Sequence, residues 1–101
     1  MFKEWREFRI LEKNIEAKLR RVVKNMGGIA LKFTSPGMTG MPDRLVLLPE
    51  GKIYFVELKA PDMDLRPLQL KRKDQLEKLG FKVYVIDSYE KIDEFLKEVM
   101  C

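Results

Sequence analysis

Apolar side chains in the first third of the chain recur at three- and four-residue intervals, the spacing of an amphipathic helix. Asn14 suits the N-cap of this helix, and two glycines after Met26 form a strong stop signal. The pattern therefore predicts a first helix from Asn14 to Met26 with one buried face. The apolar positions on that face are Ile15, Leu19, Val22, Val23 and Met26.

Shorter apolar segments separated by turn-forming residues follow, and they predict strands alternating with two more helices. The strands are expected at residues 29–34, 43–48, 52–60 and 81–87, and the helices at residues 65–79 and 89–100. Asp64 is the expected N-cap of the second helix. Residues 1–11 match no pattern and form a candidate N-terminal arm. The order α-β-β-β-α-β-α predicts one α/β domain over residues 1–101, with a mixed sheet flanked by helices.

The turn between the second and third strands fixes which residues face each other. Pro49-Glu50-Gly51 suits a three-residue loop built from a type I turn and a left-handed glycine. Counting outward from that loop places Asp43 opposite Glu57, and Lys59 shares their face because it lies two residues further on. Three charges thus converge on an otherwise apolar face, where burial is costly. A functional cluster is the favoured interpretation, ahead of a structural salt bridge.

The amino-acid composition excludes several classes of catalytic and metal site. The chain has 20 Lys and Arg against 16 Asp and Glu, and the excess lies in residues 1–28 and 65–79, which is compatible with a polyanion partner. The absence of histidine excludes Ser-His-Asp and Cys-His nucleophiles. The single cysteine, Cys101, excludes an intrachain disulfide and a cysteine zinc cluster, which fits a reducing, intracellular setting. Apolar runs of only about four residues predict no membrane span.

The predicted cluster has the chemistry of a divalent-cation site. Asp43 and Glu57 supply carboxylate oxygens, and the backbone carbonyl of Leu58 is placed to be a third ligand. Such a metal polarises a phosphate and lowers the pKa of a bound water. Lys59 would orient that water or stabilise charge on phosphorus. The cluster therefore suits metal-dependent phosphodiester hydrolysis.

Pro42-Asp43 followed by Glu57-Leu58-Lys59 resembles the PD-(D/E)XK nuclease motif. More of the chain resembles one family within that superfamily, the VRR-NUC nucleases. The matching segments are Asn14-Ile15-Glu16, residues 28–33, Ser35-Pro36-Gly37, residues 40–44, residues 54–60 and Leu68-Gln69.

This resemblance implies a restriction-endonuclease-like fold and dependence on Mg²⁺ or Mn²⁺. It also implies a homodimer that cleaves branched DNA, such as four-way (Holliday) junctions, during replication, repair or recombination in the cytoplasm of a bacterial or phage-infected cell. The family's catalytic roles fall on Glu16, Asp43, Glu57, Lys59 and Gln69, with Glu16 reaching the metal through a water.

Several assignments stay open at the level of sequence. Candidate DNA contacts are Lys32, Lys71, Arg72 and Lys73, for which ordinary surface roles compete. Arg44 alternates to the other sheet face, where an ion pair is favoured over catalysis. Leu70 and the arm around Trp5 are candidate dimer surfaces. The alternatives to an endonuclease are a non-catalytic nucleic-acid-binding module with the same fold, and a structural dimerisation domain whose charges form an ion-pair network without metal dependence.

Overall fold

A computed structural model describes residues 11–100, which fold around one mixed four-stranded sheet. The strands lie in the order β1-β2-β3-β4; β1, β2 and β3 are antiparallel neighbours, and β4 is parallel to β3. The elements are α1 (Glu12–Asn25), β1 (Ile29–Lys32), β2 (Arg44–Leu48), a 3₁₀ turn (Pro49–Gly51), β3 (Lys52–Leu58), α2 (Pro67–Lys78), β4 (Val83–Ile86) and α3 (Tyr89–Val99). The predicted fold class and element order are confirmed. Apart from Leu11, the candidate arm with Trp5 lies outside the described residues, as does Cys101.

The hydrophobic core lies between one face of the sheet and two helices. The apolar faces of α1 and α3 pack there because each helix repeats apolar residues at helical spacing. No helix within residues 11–100 has the length and apolar composition needed to span a membrane. The fully buried core side chains are Ile15, Leu19, Val23, Val46, Val56, Leu58, Ile86, Ile92 and Phe95.

The opposite face of the sheet is only partly covered, because α2 packs mainly against β4 and leaves much of the first three strands exposed. Ile29, Leu31 and Ile53 are 52%, 40% and 44% exposed on these strands. Register pairs across β1, β2 and β3 place the following residues on this face, which we call the open sheet face: Ile29, Leu31, Leu45, Leu47, Ile53 and Phe55.

The β2–β3 register agrees with the predicted three-residue loop, since Leu48 pairs with Lys52 and Arg44 with Val56. The conformation of the loop differs from the prediction. Glu50 (φ 71°) and Gly51 (φ 75°) are both left-handed, whereas a type I turn would give Glu50 a negative φ. Two consecutive left-handed residues, rather than one, therefore reverse the chain.

Two helix starts also differ from the prediction. Helix α1 begins at Glu12 with Leu11 as N-cap, and Asn14 caps it from inside, because its Oδ1 accepts a hydrogen bond from the Leu11 N–H at 3.1 Å. Helix α2 begins at Pro67 with Arg66, not Asp64, as N-cap. Proline favours the first helical position because its fixed φ and missing N–H suit it.

The strands are shorter than predicted because their terminal residues extend beyond the last residue pair with the neighbouring strand. Strand β2 begins at Arg44, so β1 ends at Lys32, although the Phe33 N–H still donates to the Asp43 carbonyl at 2.8 Å. Likewise β3 ends at Leu58 and β4 covers Val83–Ile86, where the parallel ladder ends at the Leu58–Ile86 pair.

Candidate active site

The end of the β2–β3 hairpin brings Asp43 and Glu57 together through two crossed hydrogen bonds. The Asp43 N–H donates to Glu57 Oε1 at 3.1 Å, and the Leu58 N–H donates to Asp43 Oδ1 at 3.0 Å. Each carboxylate is thus held by the backbone of the facing strand. Glu57 is only 6% exposed. Its side chain is therefore fixed in position without any contribution from a ligand.

Gln69 fixes the other oxygen of Glu57. The first turn of α2 presents Gln69, whose Nε2 donates to Glu57 Oε2 at 3.0 Å. The Gln69 Oε1 accepts from the Arg66 N–H at 2.9 Å, so the same amide also caps the helix. The family resemblance implied a catalytic role for Gln69 without naming its partner, and the structure places its amide against the Glu57 carboxylate.

The backbone of β3 directs one carbonyl toward the two acids. The Lys59 N–H donates to the Ile86 carbonyl at 3.0 Å and therefore faces β4. Because successive residues of a strand face opposite neighbours, the N–H and C=O of Leu58 both face β2, where the N–H meets Asp43. The Leu58 carbonyl thus points to the side of Asp43, which is the direction that its predicted role as a metal ligand requires.

These groups line a cavity of about 430 Å³ that also includes Lys59, Met41 and Arg66. The loop between β1 and β2 forms one wall and is fastened to α2. Gly40 has φ +91°, and a Cβ there would lie 2.7 Å from Leu68 Cγ, so a larger residue would force the wall away. Arg72 Nε donates to the Thr39 carbonyl at 2.8 Å and reinforces this contact.

Helix α1 places Glu12 in the cavity wall, and the negative charge of Glu16 is near enough to help raise the pKa of Asp43. Glu16 lies one turn further along and forms an ion pair with Arg44, which is 7% exposed and also donates to the Ala30 carbonyl. The ion pair predicted for Arg44 on the other sheet face is therefore confirmed. Sequence reasoning missed Glu12, although the four-residue spacing to Glu16 signals that both lie on one side of the helix.

Burial and mutual repulsion make both central carboxyls reluctant to ionise. Desolvation raises the pKa of Glu57 to about 7, and the negative charge of Asp43 adds to that rise, while Lys59 opposes it. The pKa of Asp43 is also raised, chiefly by desolvation, although the Leu58 N–H bond pulls it down. Without a compensating cation, this site therefore holds its negative charge at a cost in free energy.

The donor set fits a hard divalent cation. Two carboxylates and one backbone carbonyl are oxygen ligands, and a cation would offset the desolvation and the negative charge that raise the two pKa values. Among residues 11–100, no three His, Cys, Asp or Glu side chains lie close enough to hold one metal ion. Asp43 and Glu57 are therefore the side chains that would hold it, with water in the remaining positions, as Mg²⁺ prefers.

The VRR-NUC domain model matches residues 1–90 of this chain. The chain belongs to the VRR-NUC family. It is 52% identical over 81 residues to "Putative nuclease p44" of Acyrthosiphon pisum secondary endosymbiont phage 1, covering 80% of this chain and 87% of that protein. A solved structure described as a VRR_NUC domain superposes with a TM-score of 0.80 at 31% identity, covering 85% of this chain and 94% of the other.

The candidate DNA-binding lysines and arginines of this VRR-NUC domain fall in different surroundings. Arg72 donates to Thr39 and Gln75, and Lys73 pairs with Glu77 on the same helix. Lys71 is exposed on α2, whereas Lys32 is exposed at the end of β1. Two of the four therefore already have partners within the chain.

The raised pKa of Glu57 predicts how stability varies with pH in the metal-free protein. Between about pH 4.5 and pH 7 the folded state holds this proton more tightly than the unfolded state, so stability should fall as pH rises. Glu57→Gln removes that contribution and should flatten the decline, leaving the smaller share of Asp43.

Urea unfolding in EDTA at several pH values measures the difference. Glu90→Gln, which alters an exposed acid on α3, is the matched control and should follow the wild-type profile. Parallel profiles for Glu57→Gln and wild type would contradict the raised pKa of Glu57 in the folded protein.

Proposed function

We propose that this protein is a metal-dependent endonuclease that hydrolyses DNA phosphodiesters at the Asp43–Glu57 site. The observation that carries the proposal is the pair of acids, held by crossed hydrogen bonds and left with raised pKa values, beside Lys59 in an open cavity. Membership of the VRR-NUC family and similarity to a protein named as a nuclease support it. A non-catalytic binding module would gain nothing from acids facing phosphate.

Each residue of the site has a distinct part in the proposed reaction. Asp43, Glu57 and the Leu58 carbonyl would hold Mg²⁺ or Mn²⁺, which when bound polarises a phosphate and acidifies a water. Gln69 keeps Glu57 oriented and is a positioning residue. Lys59 places a positive charge where negative charge grows on phosphorus, so its interaction is strongest in the transition state.

Removing either central acid should abolish cleavage and leave the fold intact. We expect Asp43→Asn and Glu57→Gln to cut labelled branched DNA at least about 100-fold more slowly with Mg²⁺ or Mn²⁺, and DNA binding to be retained because negative charge facing phosphate is lost. Lys59→Ala should lower kcat more than affinity.

A readout other than cleavage tests the metal itself. Mg²⁺ or Mn²⁺ should raise the unfolding temperature of wild type and of the control Glu90→Gln, but not of Asp43→Asn. Full activity of either acid variant would refute the site. DNA binding without cleavage in any metal would favour the binding module instead.

Substitutions of the two acids of α1, Glu12 and Glu16, should affect different properties of the protein. Glu12 faces the cavity and Glu16 pairs with Arg44, so Glu12→Gln should slow cleavage with little loss of stability. Glu16→Gln leaves a buried guanidinium without its carboxylate and should lower the free energy of unfolding by about 1–3 kcal/mol.

Urea unfolding and initial cleavage rates of both variants measure the contrast. If Glu16→Gln loses cleavage while keeping stability, the role that the family resemblance assigns to Glu16 is correct and the Glu12 assignment is wrong.

We further propose that branched duplex DNA is the substrate and that a homodimer cuts it. One site performs one hydrolysis, and a two-fold dimer matches the symmetry of a four-way junction. The open sheet face suits a second copy of this chain. Phe81 extends it, because its ring centroid lies 5.6 Å from that of Phe55. Ile29, Leu31, Ile53 and Phe81 are 40–52% exposed there, and contiguous apolar surface of this kind is a feature of interaction sites.

Charged substitutions should distinguish the open sheet face from the α2 surface around Leu70 as the dimer interface. Light scattering of wild type at micromolar concentration should give about 24 kDa, twice the 12.0 kDa of one chain. Ile53→Glu on the open sheet face should give a monomer, and Leu70→Glu on α2, where Leu70 is 54% exposed, should leave the dimer intact. The reverse pattern would place the interface on α2, and a monomeric wild type would refute the dimer.

A further inference from the structure

A second concavity, of about 980 Å³, lies between α1 and the outer edge of β1. We call it the α1–β1 groove. Five of its ten lining residues are basic and none is acidic. Its basic residues are Arg20, Arg21, Lys24, Lys32 and Arg44.

Four of these cations have no ion pair or hydrogen bond within residues 11–100, Arg44 being the exception. In the other positive segment, Lys73 and Lys78 pair with acids on their own helix, whereas Arg66 and Lys71 have no side-chain partner within the described residues. What distinguishes the groove is that four such cations line one concavity that no acid lines. Such charge attracts counterions that a polyanion can displace.

The helix aligns its cations by sequence spacing. Arg20, Arg21 and Lys24 lie three, four and seven residues after Ala17, which also lines the groove. Residues at this spacing share one face of a helix. Lys32 faces this row from the opposite wall, so the groove is basic on both sides.

The strand edge adds backbone donors. Because the Phe33 N–H bonds to β2, alternation along the antiparallel ladder directs the N–H groups of Ala30 and Lys32 away from β2, toward the free edge that lines the groove. β1 has no neighbour on that side in the described sheet. Backbone N–H groups beside cations are favourable partners for phosphate oxygens.

The groove and the candidate active site are joined by α1. Glu12 lines the active-site cavity, and Arg20 and Lys24 follow on the same helix at about 12 Å and 18 Å along its axis. One DNA strand advances 3.4 Å per nucleotide, so these distances correspond to roughly four to five nucleotides.

We infer that the α1–β1 groove binds the sugar-phosphate backbone of the nucleic-acid substrate, about four to five nucleotides from the phosphodiester that is cut. This assignment rests on the proposed nuclease function and adds the phosphate-binding path to it. It places the main DNA contact on α1 and β1 rather than on α2, where Arg72 and Lys73 are already engaged and Lys71 is the remaining exposed candidate.

Two triple variants of equal charge test the assignment. Arg20→Gln/Lys24→Gln/Lys32→Gln empties the groove of three cations, and Lys73→Gln/Lys78→Gln/Lys82→Gln removes three cations that pair with acids elsewhere. Both lower the net charge equally. Fluorescence anisotropy with a labelled four-way junction, in EDTA so that no cleavage occurs, gives the affinity of each at several salt concentrations. Circular dichroism confirms that both variants are folded.

We expect the groove variant to bind at least about tenfold more weakly, with a salt slope lower by about 0.9 for each phosphate that the protein no longer neutralises. The control variant should keep most of the wild-type slope. An unchanged slope in the groove variant, or an equal loss in both variants, would overturn the groove assignment while leaving wild-type binding and cleavage in place. Wild type that neither binds nor cleaves would instead overturn the proposed function.

Discussion

The register of the β2–β3 hairpin is the constraint on which the candidate site depends. Leu48 pairs with Lys52, so Asp43 and Glu57 meet at the far end of the same two strands and exchange hydrogen bonds with the facing backbone. A slip of one residue would turn one acid toward the core face, where it would be buried without these partners. The consecutive left-handed residues of the turn, Glu50 and Gly51, help to hold the register.

Side chains alternate between the two faces of the sheet along β2, so neighbouring residues make different contacts. Arg44 follows Asp43 and faces the opposite side of the sheet, where its pair with Glu16 ties α1 to β2. Sequence alone predicted the face of Arg44 because strand periodicity is strict. It could not choose between Glu12 and Glu16, which lie on one side of α1 and differ by about 6 Å along its axis. The axial position of a helix on a sheet depends on packing, and no local pattern encodes it.

The packing of helix α2 is a second feature that the sequence pattern did not predict. The sequence predicted a helix over residues 65–79, yet its leucines are not buried together, since Leu68 is 37% and Leu79 74% exposed and Leu76 is buried. Gln69 was found through a family motif, but its contact with Glu57 crosses twelve residues, including an irregular linker that has no period to count. The sequence analysis chose Asp64 as N-cap, although the combination of Pro67 and Gln69 is a local signal for the observed helix start.

The charges of the chain are divided in a way that follows from the proposed chemistry. Acids that bind a cation repel phosphate, so a site built on Asp43 and Glu57 cannot by itself supply the affinity for DNA. That affinity must come from cations placed elsewhere. Cations paired with acids on the same helix contribute little to it, because their field is already neutralised. Arg20, Lys24 and Lys32 have no such partner in the described part of the chain, and they lie outside the cavity, where they can hold a strand without competing for the metal.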